Sequence, residues 1–287
     1  GKPYAIPWYI DAGLLYYRKD LLEKYGLPPP KHWDELAAEA KRVIEEENDP
    51  RLYGFVWQGK QYEGLICDAL EFIWSRGGGV IRNGKVILES AAAEEALGFM
   101  RGLMTVYRVS PALVTTADEE STRRLFGEGR AVFMRNWPYA WNLFQSEGSS
   151  VKGKVGIAPL PSFPGHPSAS ALGGWYLAIN RHSRHPEAAK ALIRYLTSPE
   201  VQKALAIGIG YKPTRISLYR DAELKARQPF ISSLEGIFLT ARPRPVTPYY
   251  LMFSQVMQSE FSAAVTGIKS PAEALRSAQL QMEHILK

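Results

Sequence analysis

A chain of 287 residues, 46% hydrophobic and 22% charged, is long for one core and comfortable for two. It has no apolar run near the roughly 20 residues of a membrane-spanning helix, and its single cysteine excludes an intrachain disulfide. The net charge of +6 is spread over interleaved acids and bases, without the run of like charge expected of a nucleic-acid track.

Residues 1–11 have neither the basic start nor the apolar stretch of a signal peptide. Residues 14–25 alternate apolar and charged side chains and stop at Gly26 and Pro28-Pro29-Pro30. Helical periodicity runs over 33–47 through Leu36, Ala40, Val43 and Ile44 and ends at Asn48-Asp49-Pro50. A short strand is predicted over 52–57, then an apolar helix over 62–75 in which Cys67 reads as a small buried hydrophobe. Asn83-Gly84 between two β-prone runs specifies a type I′ hairpin, because both central residues need positive φ. Ser90 caps a helix over 91–107, with Glu94 and Glu95 near its positive end. A short helix over 121–126 and strands over 131–134, 154–160 and 175–179 follow. Pro186 and Pro199 each open a helix, 207–213 is a Gly-rich loop, 224–238 is read as one helix, and 241–248 as an extended Pro-rich crossing. The chain closes with a helix over 249–265 and another opened by the capping box Ser270-Pro271-Ala272-Glu273. Strands alternating with helices define an α/β fold.

The aromatics are clustered. Pro7-Trp8-Tyr9-Ile10-Asp11, Asn136-Trp137-Pro138-Tyr139-Ala140-Trp141 and Gly173-Gly174-Trp175-Tyr176 each place rings beside Gly, Pro or a hydrogen-bonding group. Indole and phenol faces suit the apolar face of a sugar ring, and charged groups suit its hydroxyl rim. Single aromatics are most often core; three clusters containing Gly or Pro point instead to loops at a binding site.

These motifs resemble the family 1 extracellular solute-binding proteins of sugar ABC transporters, most of all the trehalose/maltose-binding proteins of thermophiles. The resemblance rests on Gly1-Lys2-Pro3-Tyr4-Ala5-Ile6-Pro7, Leu15-Tyr16-Tyr17-Arg18-Lys19-Asp20-Leu21-Leu22, Trp33-Asp34-Glu35-Leu36 and Phe126-Gly127-Glu128-Gly129-Arg130-Ala131. Gly173-Gly174-Trp175-Tyr176-Leu177-Ala178-Ile179, Ser198-Pro199-Glu200-Val201-Gln202 and Pro243-Arg244-Pro245 complete it. It implies a two-lobed periplasmic-binding-protein-like α/β fold of class II, with a disaccharide held between the lobes and delivered to the membrane permease. Residues 1–10 and 177–243 then belong to the N-terminal lobe, and 11–176 and 244–287 to the C-terminal lobe. Hinge crossings are expected near 9–12, 173–176 and 244–248. The resemblance also implies that about a hundred residues of the N-terminal lobe precede Gly1 in a full member. A second chain is therefore expected to supply them, a signal or lipid anchor is expected in that part, and the location is periplasmic or at the outer cell surface.

Carried over residue by residue, the resemblance assigns sugar contact to Tyr9 and Asp11 at the first crossing, the stacking pair Trp137 and Tyr139, Gly173 and Trp175 at the second crossing, and Arg244 at the third. Arg242 is the local alternative to Arg244, Asp11 also reads as a surface or capping carboxylate, and Gly173 also reads as a hinge. Trp141 is assigned to the core, and Trp8, Trp57 and Tyr211 are neighbours without an assigned role. The competing class is a glycoside hydrolase, which needs two carboxylates at set separations. Asp11 is one candidate, but no second acid lies within 136–141 or 173–176. No Gly-x-Ser-x-Gly, Walker A or His/Cys metal spacing occurs, so no catalytic residue, metal or cofactor is assigned.

Overall fold

The computed structural model describes residues 3–287; Gly1 and Lys2, which begin the first resembling segment, lie outside the described residues. In chain order the strands are β1 Ile6–Ala12, β2 Leu14–Arg18, β3 Tyr53–Val56, β4 Ile81–Arg82, β5 Lys85–Val86, β6 Ala131–Asn136, β7 Val155–Ala158 and β8 Leu172–Leu177. The chain divides into two compact units, one of Gly1–Ala12 with Leu172–Ala241, the other of Gly13–Ala171 with Arg242–Lys287. The passages therefore fall at 12/13, 171/172 and 241/242, where the sequence reading has 10/11, 176/177 and 243/244. The reason is pairing: β1 and β8 hydrogen-bond along their whole length and so stay in one unit.

The second unit is built on a four-stranded sheet in the order β3-β6-β2-β7. β3 runs parallel to β6, and β2 runs antiparallel to both β6 and β7. Every residue of β6 is buried, which explains why its sequence does not alternate. The helix Glu63–Trp74 is buried from Gly64 to Trp74. It is accordingly apolar on nearly every side, and Asp68 and Glu71 are carried into the core. Helix Tyr250–Thr266 packs on this helix, on Ala91–Thr105 and on Pro271–Ile285. Trp33 opens helix Trp33–Glu47 and stacks on Phe72 at 3.9 Å between centroids, its indole N–H donating to Ser75. The Asn83-Gly84 turn has φ of 52° and 75°, and Ser270 and Glu273 form the reciprocal capping box.

The first unit carries the β1–β8 ribbon, in which Tyr9 pairs with Trp175 and Asp11 with Gly173. Gly174 has φ +122°, and a Cβ there would lie 2.4 Å from the Tyr9 carbonyl oxygen, so the unusual backbone falls on Gly174 rather than on Gly173. β8 starts at Leu172, three residues before the strand read from sequence, because the Leu-Gly-Gly segment pairs with β1. The single helix read over 224–238 is three short helices, Ala222–Arg227, Pro229–Ser233 and Glu235–Thr240. Pro229 has no N–H to continue the ladder, and Gln228 before it leaves helical geometry at φ −139°, ψ 63°. Helix Pro186–Leu196 buries no residue fully; Leu192 is 56% exposed and Tyr195 64%. Ile193, Leu196, Val201 and Leu205 are half-buried.

Trp33 is 1% exposed and fills the space between its helix and Phe72. Trp33→Ala is expected to cost about 3–5 kcal/mol of unfolding free energy, read as a lowered urea midpoint. A midpoint equal to the parent's would contradict this packing role.

Candidate functional site

In the second unit, β6 ends in Asn136 and delivers Trp137-Pro138-Tyr139 to the surface. Asn136 fixes the exit: its Oδ1 accepts from Trp137 N at 2.8 Å, and its Nδ2 donates to the Glu119 carbonyl and Thr122 Oγ1. The Tyr16 hydroxyl donates to the Trp137 carbonyl at 2.8 Å. Helix Glu119–Gly127, capped by Asp118, places two acids in its first turn, where the helix dipole favours them. Both reach the aromatic pair. Glu119 accepts from the Trp137 indole N–H at 3.2 Å and from the Tyr62 hydroxyl at 2.5 Å. Glu120 accepts from the Tyr139 hydroxyl at 2.6 Å and from Arg123. The Arg123 guanidinium, with Tyr139, holds the Glu120 carboxyl below its usual range, while burial and the Glu120 bond push the Tyr139 phenol up. The rings are thus tied at their polar edges, and both residues remain half-buried.

Beneath Trp137 lies Arg135, 1% exposed, with its guanidinium carbon 4.1 Å from the indole centroid. Its Nε and Nη2 donate to Glu71 at 2.8 and 2.6 Å, and Nη1 donates to Gln58 at 3.1 Å. Asp68 Oδ1 is also 3.0 Å from Nε, but that N–H is used by Glu71. Burial pushes the Asp68 carboxyl far above its usual range and its Glu71 neighbour adds to the rise, although Arg135 opposes both. Burial works against the Arg135 cation, and the two carboxylates outweigh it.

Arg244, also in the second unit, lies within the segment 241–248. Its Nη1 donates to Glu63 at 2.6 Å, and the guanidinium carbon lies 5.8 Å from the Tyr250 ring centroid. Tyr250 and Ser254 hydroxyls also donate to Glu63. Arg242, the local alternative, contributes its backbone N–H to Ser170. Trp57 is fully buried and donates to Ser110, so it belongs to the core.

The first unit holds the other assigned residues. Tyr9 and Tyr211 lie 4.4 Å apart between centroids, Trp8 meets both edge-on at 5.4 Å, and Trp175 is 6.3 Å from Tyr9. Trp175 is 63% exposed. Asp11 sits at the end of this ribbon, half-buried, with its carboxyl pushed up to about 6 by burial, a rise that Lys212 partly offsets. Lys212 is buried, which lowers its ammonium to about 8 against the pull of Asp11. Lys212 is fixed locally, since its carbonyl accepts from Ile10 N at 3.0 Å.

Sequence reading missed Glu63, Glu119, Glu120, Arg135 and Lys212. Glu63 and Arg244 are 181 positions apart, and no local pattern joins them. Glu119-Glu120 gave a usable signal, two acids directly after a capping Asp, but nothing aimed them at residues 137 and 139. Among the described residues no group of three or more His, Cys, Asp or Glu could hold a metal ion, and no helix is long and apolar enough to cross a membrane.

A two-unit α/β chain with half-buried aromatic rings tied to carboxylates is suited to binding small polar solutes. Residues 1–203 match the bacterial extracellular solute-binding proteins, and the chain belongs to that family. It is 44% identical over 294 residues to a probable ABC transporter-binding protein of Deinococcus radiodurans, an alignment covering 99% of this chain and 69% of that protein. Its fold is similar to maltose-bound MalE3 of T. maritima, with a TM-score of 0.93 and 48% identity over 98% of this chain and 72% of the other. A solute-binding protein of Thermotoga lettingae with bound α-D-tagatose is similar at a TM-score of 0.87 and 30% identity, over 99% of this chain and 72% of that one.

The raised Asp11 carboxyl has a defined sign in stability. Native Asp11 keeps its proton up to about pH 6, whereas the unfolded carboxyl loses it near 3.8. Between those values the native state binds more protons, so this residue's contribution is full below pH 3.8 and is lost as pH rises to 6. Asp11→Asn, which cannot ionise, is expected to gain stability relative to the parent between pH 4 and 6 and to hold a constant offset from pH 6.5 to 7. Urea midpoints at these pH values check it; an offset that does not change with pH would show that Asp11 titrates normally.

Proposed function

We propose that the protein is the substrate-binding component of an ABC-type sugar importer, holding a disaccharide of the trehalose/maltose class and delivering it to the membrane permease outside the cytoplasm. The observation that carries this reading is the Trp137/Tyr139 pair, whose polar edges are tied to Glu119 and Glu120, so that the face of Trp137 opposite Arg135 and the Tyr139 ring can serve a ligand. Apolar sugar faces stack on such rings. Asp11, ionised above about pH 6, and Arg244, oriented by Glu63, supply charge-assisted partners for hydroxyls. Tyr9, Tyr211, Trp175 and Gly173 are the corresponding contacts of the first unit. The maltose in the T. maritima structure supports a disaccharide, and the tagatose in the T. lettingae structure shows that the fold also holds a monosaccharide. On the same reading, the apolar face left open by helix Pro186–Leu196 is covered by polypeptide equivalent to the part of these relatives that this chain does not span.

Hydrolysis is the weaker reading. A retaining or inverting glycosidase needs one carboxyl kept protonated and a second kept ionised nearby. The raised carboxyl of the first unit, Asp11, is acted on by a lysine. At the Trp137/Tyr139 pair, Glu120 is held ionised and Glu119 is committed to two ring donors.

Calorimetric titration with trehalose, maltose, sucrose and glucose tests the proposal; failure to bind all four would overturn it. Trp175→Ala should weaken the best of these sugars by about tenfold or more, as expected for a ring desolvated only on binding, and leave the urea midpoint near the parent's. A lowered midpoint with unchanged affinity would place Trp175 in the fold instead. Affinity for the same sugar should fall as pH drops through 6, and Asp11→Asn should bind more weakly at pH 7 but without that fall.

A further inference from the structure

We infer that Arg135 is a positioning residue for the Trp137 platform, set in place by Glu71; the inference rests on the sugar-binding reading of Trp137. An indole at a surface turn can swing about two side-chain bonds, and a stacking platform must not. Here the polar edge is tied to Glu119 and the backbone to Asn136 and Tyr16. Those bonds do not support the face of the ring. Arg135 does, from 4.1 Å below the centroid.

The guanidinium is held in turn by buried partners. Glu71 takes two of its N–H groups and Gln58 a third. Gln58 is itself fixed, donating to Thr122 and to the Arg135 carbonyl while its backbone N–H donates to Asp68. The same Glu71 oxygen that accepts from Arg135 Nη2 also accepts from Ala171 N at 2.8 Å. Support for the Trp137 face therefore passes from helix Glu63–Trp74 through a planar, charge-assisted pair to the ring. Lysine has one compact charge without the guanidinium fork and does not reproduce this geometry.

Two measurements on the full protein test the inference. The first needs no sugar. In a proton–nitrogen spectrum, the Trp137 indole N–H, assigned by its loss in Trp137→Phe, should shift and broaden in Glu71→Gln and in Arg135→Lys, more than the indole signals of Trp33 and Trp175. An unmoved Trp137 signal in either folded variant would overturn the inference, whether or not any sugar binds. The second is a double-mutant cycle on maltose affinity. Glu71→Gln should weaken binding about fivefold in the parent, the range of a cation–π support, and less than about twofold when Trp137 is already Phe. Its lowering of the melting temperature should be the same in both backgrounds. Equal losses of affinity in both backgrounds would mean that Glu71 acts on the fold in general, and would overturn the inference. The cycle is run on trehalose, sucrose or glucose if one of these binds and maltose does not; if the parent binds none of the four, the sugar reading fails and the indole signal still decides the positioning role.

Discussion

The second unit depends on one buried ionic group. Arg135, Asp68 and Glu71 are each at most 1% exposed. Taking an ion out of water costs several kcal/mol even after relaxation, so such a group needs partners in good geometry. Arg135 donates three N–H groups to Glu71 and Gln58, and these neighbours have little freedom. Asp68 and Glu71 are one turn apart on a helix buried along its length, Gln58 is fixed at both ends, and Arg135 lies on a strand with no exposed residue. Two carboxylates against one guanidinium leave an excess negative charge, and Asp68 relieves it by holding a proton more tightly than usual. Removing Arg135 or Glu71 would strand the other, at a cost of about 3–5 kcal/mol.

The aromatic groups of the two units are supported by different means. In the second unit the rings donate from their edges to carboxylates and Trp137 also rests on a cation, so their orientation follows from hydrogen-bond geometry. In the first unit the rings support one another: Trp8, Tyr9 and Tyr211 form an edge-and-face cluster, and Trp175 stands at its exposed margin. The charge beside this cluster is unfavourably buried, as the raised Asp11 and the lowered Lys212 both show. A carboxylate short of water gains more from a hydroxyl hydrogen bond than one already solvated, which is the property that the proposed sugar contact at Asp11 would use.

What was legible in the sequence was local. The Asn83-Gly84 turn, the Ser270 capping box and the proline-opened helices at 186 and 199 each depend on residues within four positions, and all are found. The reading of 224–238 as one helix failed because apolar spacing was weighed above Pro229. The aromatic residues were conspicuous because large rings beside Gly and Pro are unusual for a core. Their partners were not. Glu119 looks like an ordinary acid of an amphipathic helix, and Glu63 and Glu71 stand 181 and 64 positions from the Arg244 and Arg135 that they meet. Glu71 and Asp68 did leave a trace: after Glu63 at its first position they are the acids in the interior of an otherwise apolar helix, where a charge that cannot reach water has to be paired.

That pairing also constrains where the chain can leave the second unit. Gly13 and Ala171 are its last residues at two of the three passages, and the Gly13 N–H donates to the Ala171 carbonyl. A Cβ on Gly13 would stand 2.0 Å from Glu71 Oε1 and 2.7 Å from Arg135 Nη2. The backbone therefore runs directly over the ion pair, and the pair excludes any side chain at that point. Ala171 is held to the same oxygen through its N–H. One carboxylate thus sets the level of both passages and, through the guanidinium, the level of Trp137. From Ala171 the path to the indole is two hydrogen bonds and one ring contact, and the hydrogen bonds are buried and therefore little screened by solvent.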